Sequence, residues 1–210
     1  MKQNIQNIIF DLGGVLLNIN YQNTIQAFHR LGIPNFENIF SQYLQNTISQ
    51  QFEKGLITDV EFRNALRSLS RVQLSDTDID QAWNALLLDF PVQRFYMLQS
   101  LRKRYRLYLL SNTNIIHYRV YQQLISNTFS VESLDALFSR AYYSHEIQMR
   151  KPDAAIFQFV LQENNLIPAQ TLFIDDSIQH IEAANKLSII THHLKQTEEI
   201  STRLPSLLCS

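Results

Sequence analysis

Four stretches of this chain carry side chains suited to chemistry: Asp11-Leu12-Gly13-Gly14-Val15, Ser111-Asn112-Thr113-Asn114, Arg150-Lys151-Pro152-Asp153 and Asp175-Asp176-Ser177. Asp11, Asp175 and Asp176 among them supply three carboxylates, Ser111 a hydroxyl and Lys151 a cation. Carboxylates packed together repel one another, and a bound divalent cation is the usual remedy. Oxygen-only ligands suit magnesium rather than zinc. A carboxylate can also attack phosphorus to give an aspartyl phosphate, which splits a difficult hydrolysis into two easier steps. In such a transfer a metal and a lysine neutralise charge, while a serine and backbone N–H groups bind the equatorial oxygens. Two of the four glycines, Gly13 and Gly14, directly follow Asp11, where a tight turn and a close approach to ligand favour residues without Cβ.

These groups react together only if the fold gathers them. Apolar, brief segments closed by polar or small residues predict buried parallel strands at 5–10, 106–110, 172–174 and 188–192, with a weaker candidate at 137–143. Amphipathic helical patterns at 92–105, 115–125, 154–164 and 178–186 separate the later ones. Strand alternating with helix predicts a doubly wound, Rossmann-like α/β parallel sheet. Such sheets bind ligands at the carboxyl ends of their strands, and three of the four stretches follow a predicted strand directly. Between residues 18 and 90 the pattern turns helical. Thr58-Asp59-Val60-Glu61 has the form of a capping box before Phe62, Ala65, Leu66 and Leu69, and Ser75 to Asp78 starts a second helix leading to Ala82, Trp83, Leu86 and Leu87. The expected organisation is an α/β core of residues 1–17 and 91–210, interrupted by an all-helical cap of residues 18–90.

Composition narrows the setting. The 210 residues are 45 % hydrophobic and 18 % charged, with a formal net charge of −1. That balance gives no field toward nucleic acid or an anionic membrane. The single cysteine, Cys209, fits a reducing compartment and excludes a cysteine-only metal site. With no cleavable signal pattern after Met1-Lys2-Gln3 and no apolar stretch of the roughly 18 residues a bilayer requires, the expected setting is cytoplasmic. The expected state is a monomer or weak homodimer.

The stretches Ile8-Ile9-Phe10-Asp11-Leu12-Gly13-Gly14-Val15, Leu109-Leu110-Ser111-Asn112-Thr113-Asn114, Arg150-Lys151-Pro152-Asp153 and Phe173-Ile174-Asp175-Asp176-Ser177 resemble, in order, the four motifs of the haloacid dehalogenase superfamily. The helical insertion sits where that superfamily carries its type-one cap. More narrowly, the chain is similar to bacterial sugar-phosphate phosphatases of the α-D-glucose-1-phosphate type, which also read Phe-Asp-Leu-Gly at the first motif. The resemblance implies a magnesium-dependent phosphatase acting on a small phosphorylated metabolite such as a hexose 1-phosphate. It makes Asp11 the nucleophile and a metal ligand. Gly13 would ligate the metal through its carbonyl, Asp176 directly, and Asp175 directly or through water. Ser111, the Asn112 backbone, Gly13, Gly14, Arg150 and Lys151 would surround the phosphoryl group. Arg150 has a second reading, as partner of a neighbouring acid. One departure stands out. The superfamily's acid–base aspartate, two residues after the nucleophile, is here Gly13. Such assistance is typically worth about 10²–10⁴-fold, and an anomeric phosphate needs less of it.

Two competing functions follow from the same residues. A non-catalytic phosphometabolite sensor is motivated by Gly13 and opposed by the retention of Asp11, Lys151 and Asp176. A 2-haloacid dehalogenase would use the same aspartate on carbon, but Lys151, Ser111 and two acids at the fourth motif suit metal and phosphate. His180 is expected on the helix surface, His192-His193 without ligand partners, and Tyr142-Tyr143 and Trp83 in packing. Phe52-Glu53-Lys54-Gly55 could form part of a specificity surface, the alternative being that Gly55 is only a helix stop.

Overall fold

The computed structural model describes residues 4–33, 36, 48–70 and 72–208; Met1-Lys2-Gln3 and Cys209 lie outside them. Five strands form one parallel sheet: β1 (Asn7–Phe10), β2 (Arg106–Ser111), β3 (Arg140–Tyr143), β4 (Thr171–Asp175) and β5 (Ile190–His193). Their order is β3-β2-β1-β4-β5, so the chain builds outward from β1 to one edge and then crosses to the other side. The topological switch point lies between β1 and β4. Phe10 pairs with Leu109 on β2 and with Ile174 on β4, which brings the ends of all three strands to one level.

Both faces of the sheet are covered, and the alternation of side chains shows it. Ile8, Phe10, Leu107, Leu109, Leu172 and Ile174 face one core with Phe95, Leu98, Tyr121 and Leu204. Ile9, Tyr108, Leu110 and Phe173 face a second, with Ile156, Phe157, Val160 and Ile181. A third cluster joins Phe28, Phe52, Phe62, Leu66, Ile79 and Trp83 to Ile116. It belongs to α1 (Tyr21–Arg30), α2 (Ser49–Glu53), α3 (Asp59–Ser68) and α4 (Asp76–Asn84). The chain enters and leaves this helical region along two connections bonded to each other. Asn18 N–H donates to the Asp89 carbonyl at 2.9 Å, and Leu88 N–H to that of Asn18 at 3.0 Å.

The predicted capping box forms, and the second helix start at Ser75 proves to be one as well. Glu61 N–H donates to Thr58 Oγ1 at 3.2 Å while Thr58 N–H donates to Glu61 Oε2 at 2.7 Å, and Ser75 and Asp78 do the same. Among the described residues the remaining α-helices are α5 (Val92–Leu101), α6 (Ile115–Phe129), α7 (Ser144–Ile147), α8 (Ala154–Glu163), α9 (Ile178–Asn185) and α10 (Ile200–Leu208). The helix expected over 92–105 stops at Leu101, because Arg102-Lys103-Arg104 has no apolar face to bury and Arg106 must enter β2. The candidate strand at 137–143 shortens to Arg140–Tyr143 behind a 3₁₀ turn at Leu134–Leu137. Ser188 takes a left-handed φ of 60°, so the last strand starts only at Ile190. Helix α10, which no sequence pattern above marks, buries Ile200 and Leu204 with Pro205 inside it. The Arg94–Glu199 ion pair at 2.8 Å fixes its start.

Candidate active site

Asp11 follows β1, Ser111 ends β2 and Asp175 ends β4, so the switch point gathers them as the motif spacing predicts. Asp11 N–H donates to the Ile174 carbonyl at 2.9 Å, which continues the sheet one residue past β1 and sets the carboxyl at the crevice. Lys151 Nζ reaches in from the loop before α8 and donates to Asp11 Oδ1 at 2.7 Å and to Asp175 Oδ2 at 2.6 Å. Its side chain is 0 % exposed, as is that of Asp175. One carboxylate oxygen each from Asp11, Asp175 and Asp176 lies within 4.8 Å of the others. Three such oxygens, two of them buried, are a donor set that fits a hard divalent cation.

Local structure holds these groups in place. Asn112 clamps the Lys151 loop through two bonds: Lys151 N–H donates to Asn112 Oδ1, and Asn112 Nδ2 donates to the Lys151 carbonyl, each at 2.9 Å. The Thr113 N–H is occupied, since Ser144 Oγ accepts from it and donates back to the Thr113 carbonyl, each at 2.9 Å. Gly14 has φ +76°, and a Cβ there would lie 2.2 Å from Asp176 Oδ2. Glycine at this position is therefore what lets Asp176 reach the cluster. Gly13 is less constrained, with the nearest neighbour of a built Cβ being Ile19 Cδ1 at 3.2 Å.

Burial and charge divide the proton affinities. Burial raises the Asp11 carboxyl to about 7, against the pull of Lys151 and with the added push of Asp175 and Asp176. Asp175 is also desolvated, yet Lys151 and His180 bring it below its ordinary value. Lys151 itself is raised: burial works against its charge, and Asp11 and Asp175 outweigh burial. A cation bound to the three carboxylates would draw Asp11 into its ionised form.

His180 corrects the surface expectation. Its Nδ1–H is shared between Asp175 Oδ1 and Oδ2, at 2.9 and 3.0 Å, one turn into α9. His193 Nε2 donates to the Asp176 carbonyl at 3.0 Å, while His192 sits 3.8 Å from Glu198. Arg150 is brought to an acid: its Nη2 lies 3.0 Å from Glu53 Oε2 on α2.

A pocket with a cavity volume of about 90 Å³, partly open to solvent, runs from Gly13, Ser111 and Asn112 toward Tyr21, Glu53, Trp83, Leu86 and His117. Trp83 is buried as expected but also lines this pocket, stacked on His117 at 5.2 Å. Asn114 Nδ2 donates to His117 Nδ1 at 3.0 Å, and His117 Nε2 donates to the Trp83 carbonyl at 3.1 Å. That arrangement requires the neutral ring, and burial lowers the His117 pKa to about 4. Tyr142 and Tyr143 are buried in packing. Glu53 comes from the Phe52-Glu53-Lys54-Gly55 stretch singled out in the sequence, whereas Tyr21, His117 and the Asn112 side chain are site groups that no motif announced; they meet the site only through tertiary contacts.

The parallel sheet thus carries a buried carboxylate, a buried lysine and an acid cluster together at its switch point. The chain belongs to the haloacid dehalogenase-like hydrolases, whose family model matches residues 5–187. It is 33 % identical over 189 residues to the D-ribitol-5-phosphate phosphatase of Bacteroides thetaiotaomicron, covering 89 % of this chain and 90 % of that protein. Among solved structures it is similar to a haloacid dehalogenase family enzyme of Bacteroides thetaiotaomicron in complex with magnesium and inorganic phosphate. The TM-score there is 0.86 at 38 % identity, over 94 % of this chain and 98 % of that one. It is also similar to a predicted HAD-like hydrolase of Porphyromonas gingivalis, with a TM-score of 0.89 at 29 % identity over 99 % of each chain. Among the described residues, no helix is long and apolar enough to cross a membrane.

Proposed function

We propose that this chain is a magnesium-dependent phosphatase of small phosphorylated metabolites, acting on a sugar or sugar-alcohol monophosphate, with hexose 1-phosphates among the candidates. The observation that carries the reading is Lys151 Nζ bridging Asp11 and Asp175 at 2.7 and 2.6 Å, with Asp176 in the same cluster. Asp11 is the nucleophile: a carboxylate oxygen bonds to phosphorus as the bond to the leaving oxygen breaks, and the leaving alkoxide takes a proton from water. Water then attacks the aspartyl phosphate at phosphorus, freeing Asp11 and inorganic phosphate. Ser111, the Asn112 backbone and the Gly13-Gly14 turn receive the phosphoryl oxygens, and Lys151 neutralises their charge. Asp11, Asp175 and Asp176, with the Gly13 carbonyl, would hold magnesium, which would supply charge neutralisation at the phosphoryl group. Residues 18–90 act as the cap that excludes water above a core of residues 1–17 and 91–210. Arg150 works through Glu53 rather than on phosphate.

Phosphate release from a panel of sugar and polyol monophosphates, with magnesium and with a chelator, tests the assignment for wild type beside Asp11→Asn. Release that requires both magnesium and Asp11 is expected. Substantial turnover by a folded Asp11→Asn protein refutes the nucleophile. Magnesium binding without turnover by wild type favours a sensor.

A further inference from the structure

The helical region meets the α/β core through two unlike kinds of contact. Ion pairs form one of them, among them Lys54 with Asp153 at 3.2 Å and Asp59 with Arg119 at 3.0 Å, and in each of these two one partner is exposed. Exposed pairs hold position weakly and are screened by salt. The other kind is buried, where the end of α4 lies against the start of α6. Thr24, Trp83, Asn114 and His117 are all buried there. The His117 ring stacks on Trp83, accepts a hydrogen bond from Asn114 Nδ2 at Nδ1, and donates one from Nε2 to the Trp83 carbonyl. Trp83 Nε1 donates to Asn114 Oδ1 at 3.4 Å and closes the ring of contacts.

Asn114 belongs to the loop that carries Ser111. Its Oδ1 also caps α6, accepting from Ile116 N–H at 3.2 Å and from His117 N–H at 3.1 Å. Two residues earlier Asn112 clamps the Lys151 loop, and Thr113 between them is bonded to Ser144. Each residue of this loop after Ser111 thus fixes a different neighbour, and Asn114 fixes the helical region by way of His117. Ser111, Asn114, Trp83 and His117 line one pocket, so the shape of that pocket beside Ser111 depends on the joint. We infer that His117 is a positioning residue: it joins the helical region to the Ser111 loop and keeps the pocket in the shape that receives the ester. Its side-chain bonds go to Asn114 and Trp83, whereas Lys151 bonds to Asp11 and Asp175. Loss of the joint therefore weakens substrate binding and spares the chemical step. The assignment rests on the phosphatase reading above and adds to it the residue that sets the helical region against the phosphate-binding loop.

The test compares wild type with His117→Phe, His117→Gln and Thr24→Val. Phenylalanine keeps a ring over Trp83 and makes neither bond, while glutamine offers an acceptor and a donor in place of the two ring nitrogens. Thr24 Oγ1 donates to the same Trp83 carbonyl at 3.2 Å from within the helical region, so Thr24→Val removes a buried bond without touching the joint. The substrate is whichever of glucose 1-phosphate and ribitol 5-phosphate wild type hydrolyses faster, in saturating magnesium. His117→Phe should raise KM about tenfold and leave kcat within about threefold, because a pocket that holds its binding shape for only a fraction of the time loses affinity by that fraction. His117→Gln should recover most of the loss. Thr24→Val should melt at a lower temperature and keep the wild-type KM. Trp83 is the single tryptophan of the chain, so its fluorescence reads the joint without turnover. Its emission should move to the red in folded His117→Phe and stay in place in Thr24→Val. Should His117→Phe not fold, His117→Asn, too short to reach the Trp83 carbonyl, takes its place with the same expectations. An unmoved KM or an unmoved emission in that variant overturns the assignment, as do equal rises in KM for it and Thr24→Val. A wild type inert on both esters, and on the wider panel, overturns the phosphatase reading and the part His117 plays in turnover with it.

Discussion

Replacing Lys151 with methionine keeps the length of the side chain and removes its charge. In wild type the ammonium lies 2.7 Å from Asp11 and 2.6 Å from Asp175, with none of its side chain exposed. Removing one partner of a buried ion pair costs about 3–5 kcal/mol, because the other charge stays buried without compensation. For a chain of this size each kcal/mol lowers the melting temperature by about 2–4 °C, so a drop on the order of 10 °C is expected in chelator. Magnesium brings positive charge to the same carboxylates, so it should restore part of the lost stability and shift the variant more than it shifts wild type. Phosphate release should stay at least about 10²-fold down even in saturating magnesium, since the lysine also neutralises the transferring group. Thermal unfolding in chelator and in magnesium, run beside the phosphate assay, reads all three. A variant that melts with wild type in chelator, or gains no more than wild type from magnesium, refutes the view that Lys151 holds the carboxylates together.

Three other expectations follow from the same geometry. Gly14→Ala forces a Cβ to within 2.2 Å of Asp176 Oδ2 at a φ of +76°, so magnesium affinity measured by titration should fall at least about tenfold; unchanged affinity would mean that Asp176 is not a ligand. Gly13→Asp meets only the end of Ile19 at 3.2 Å and should fold; its substrate profile should extend to phosphates with poorer leaving groups, and an unchanged profile counts against the leaving-group argument. Asp11 is raised from 3.8 to about 7, so its contribution to stability is full below pH 3.8 and lost as pH rises through about 7. In chelator, Asp11→Asn should therefore gain on wild type across that window; a stability difference that does not change with pH removes the basis for the shift.

The strands and their terminal residues were legible because each is a short apolar run ending in a group that the interior would not accept. Asp11, Ser111 and Asp175 could be placed from that pattern alone, since parallel strands end on one side of the sheet. Lys151 required the added knowledge that the loop before a helix passes over the same edge. The Glu53–Arg150 pair was legible only as an alternative for Arg150, because no periodicity links residues so far apart in the chain. His180 was misplaced for a related reason. A histidine in the first turn of α9 reads as solvated until the Asp175 carboxyl is found beneath it at 2.9 Å. Helix α10 lies beyond the last pattern read from the sequence, and there the burial of Ile200 and Leu204 outweighs the preference of Pro205 against a helix.

Gly55 bears on how such a site can diversify. With φ +63° and only 2.1 Å between a built Cβ and the His145 carbonyl oxygen, the contact is made by backbone and tolerates no side chain. Glu53 and Lys54 on one side, and Leu56 on the other, are thereby freed from having to hold the register of the segment. They can be exchanged while the segment still lands on the same spot, so position 55 is the one an engineer redesigning this segment should leave alone.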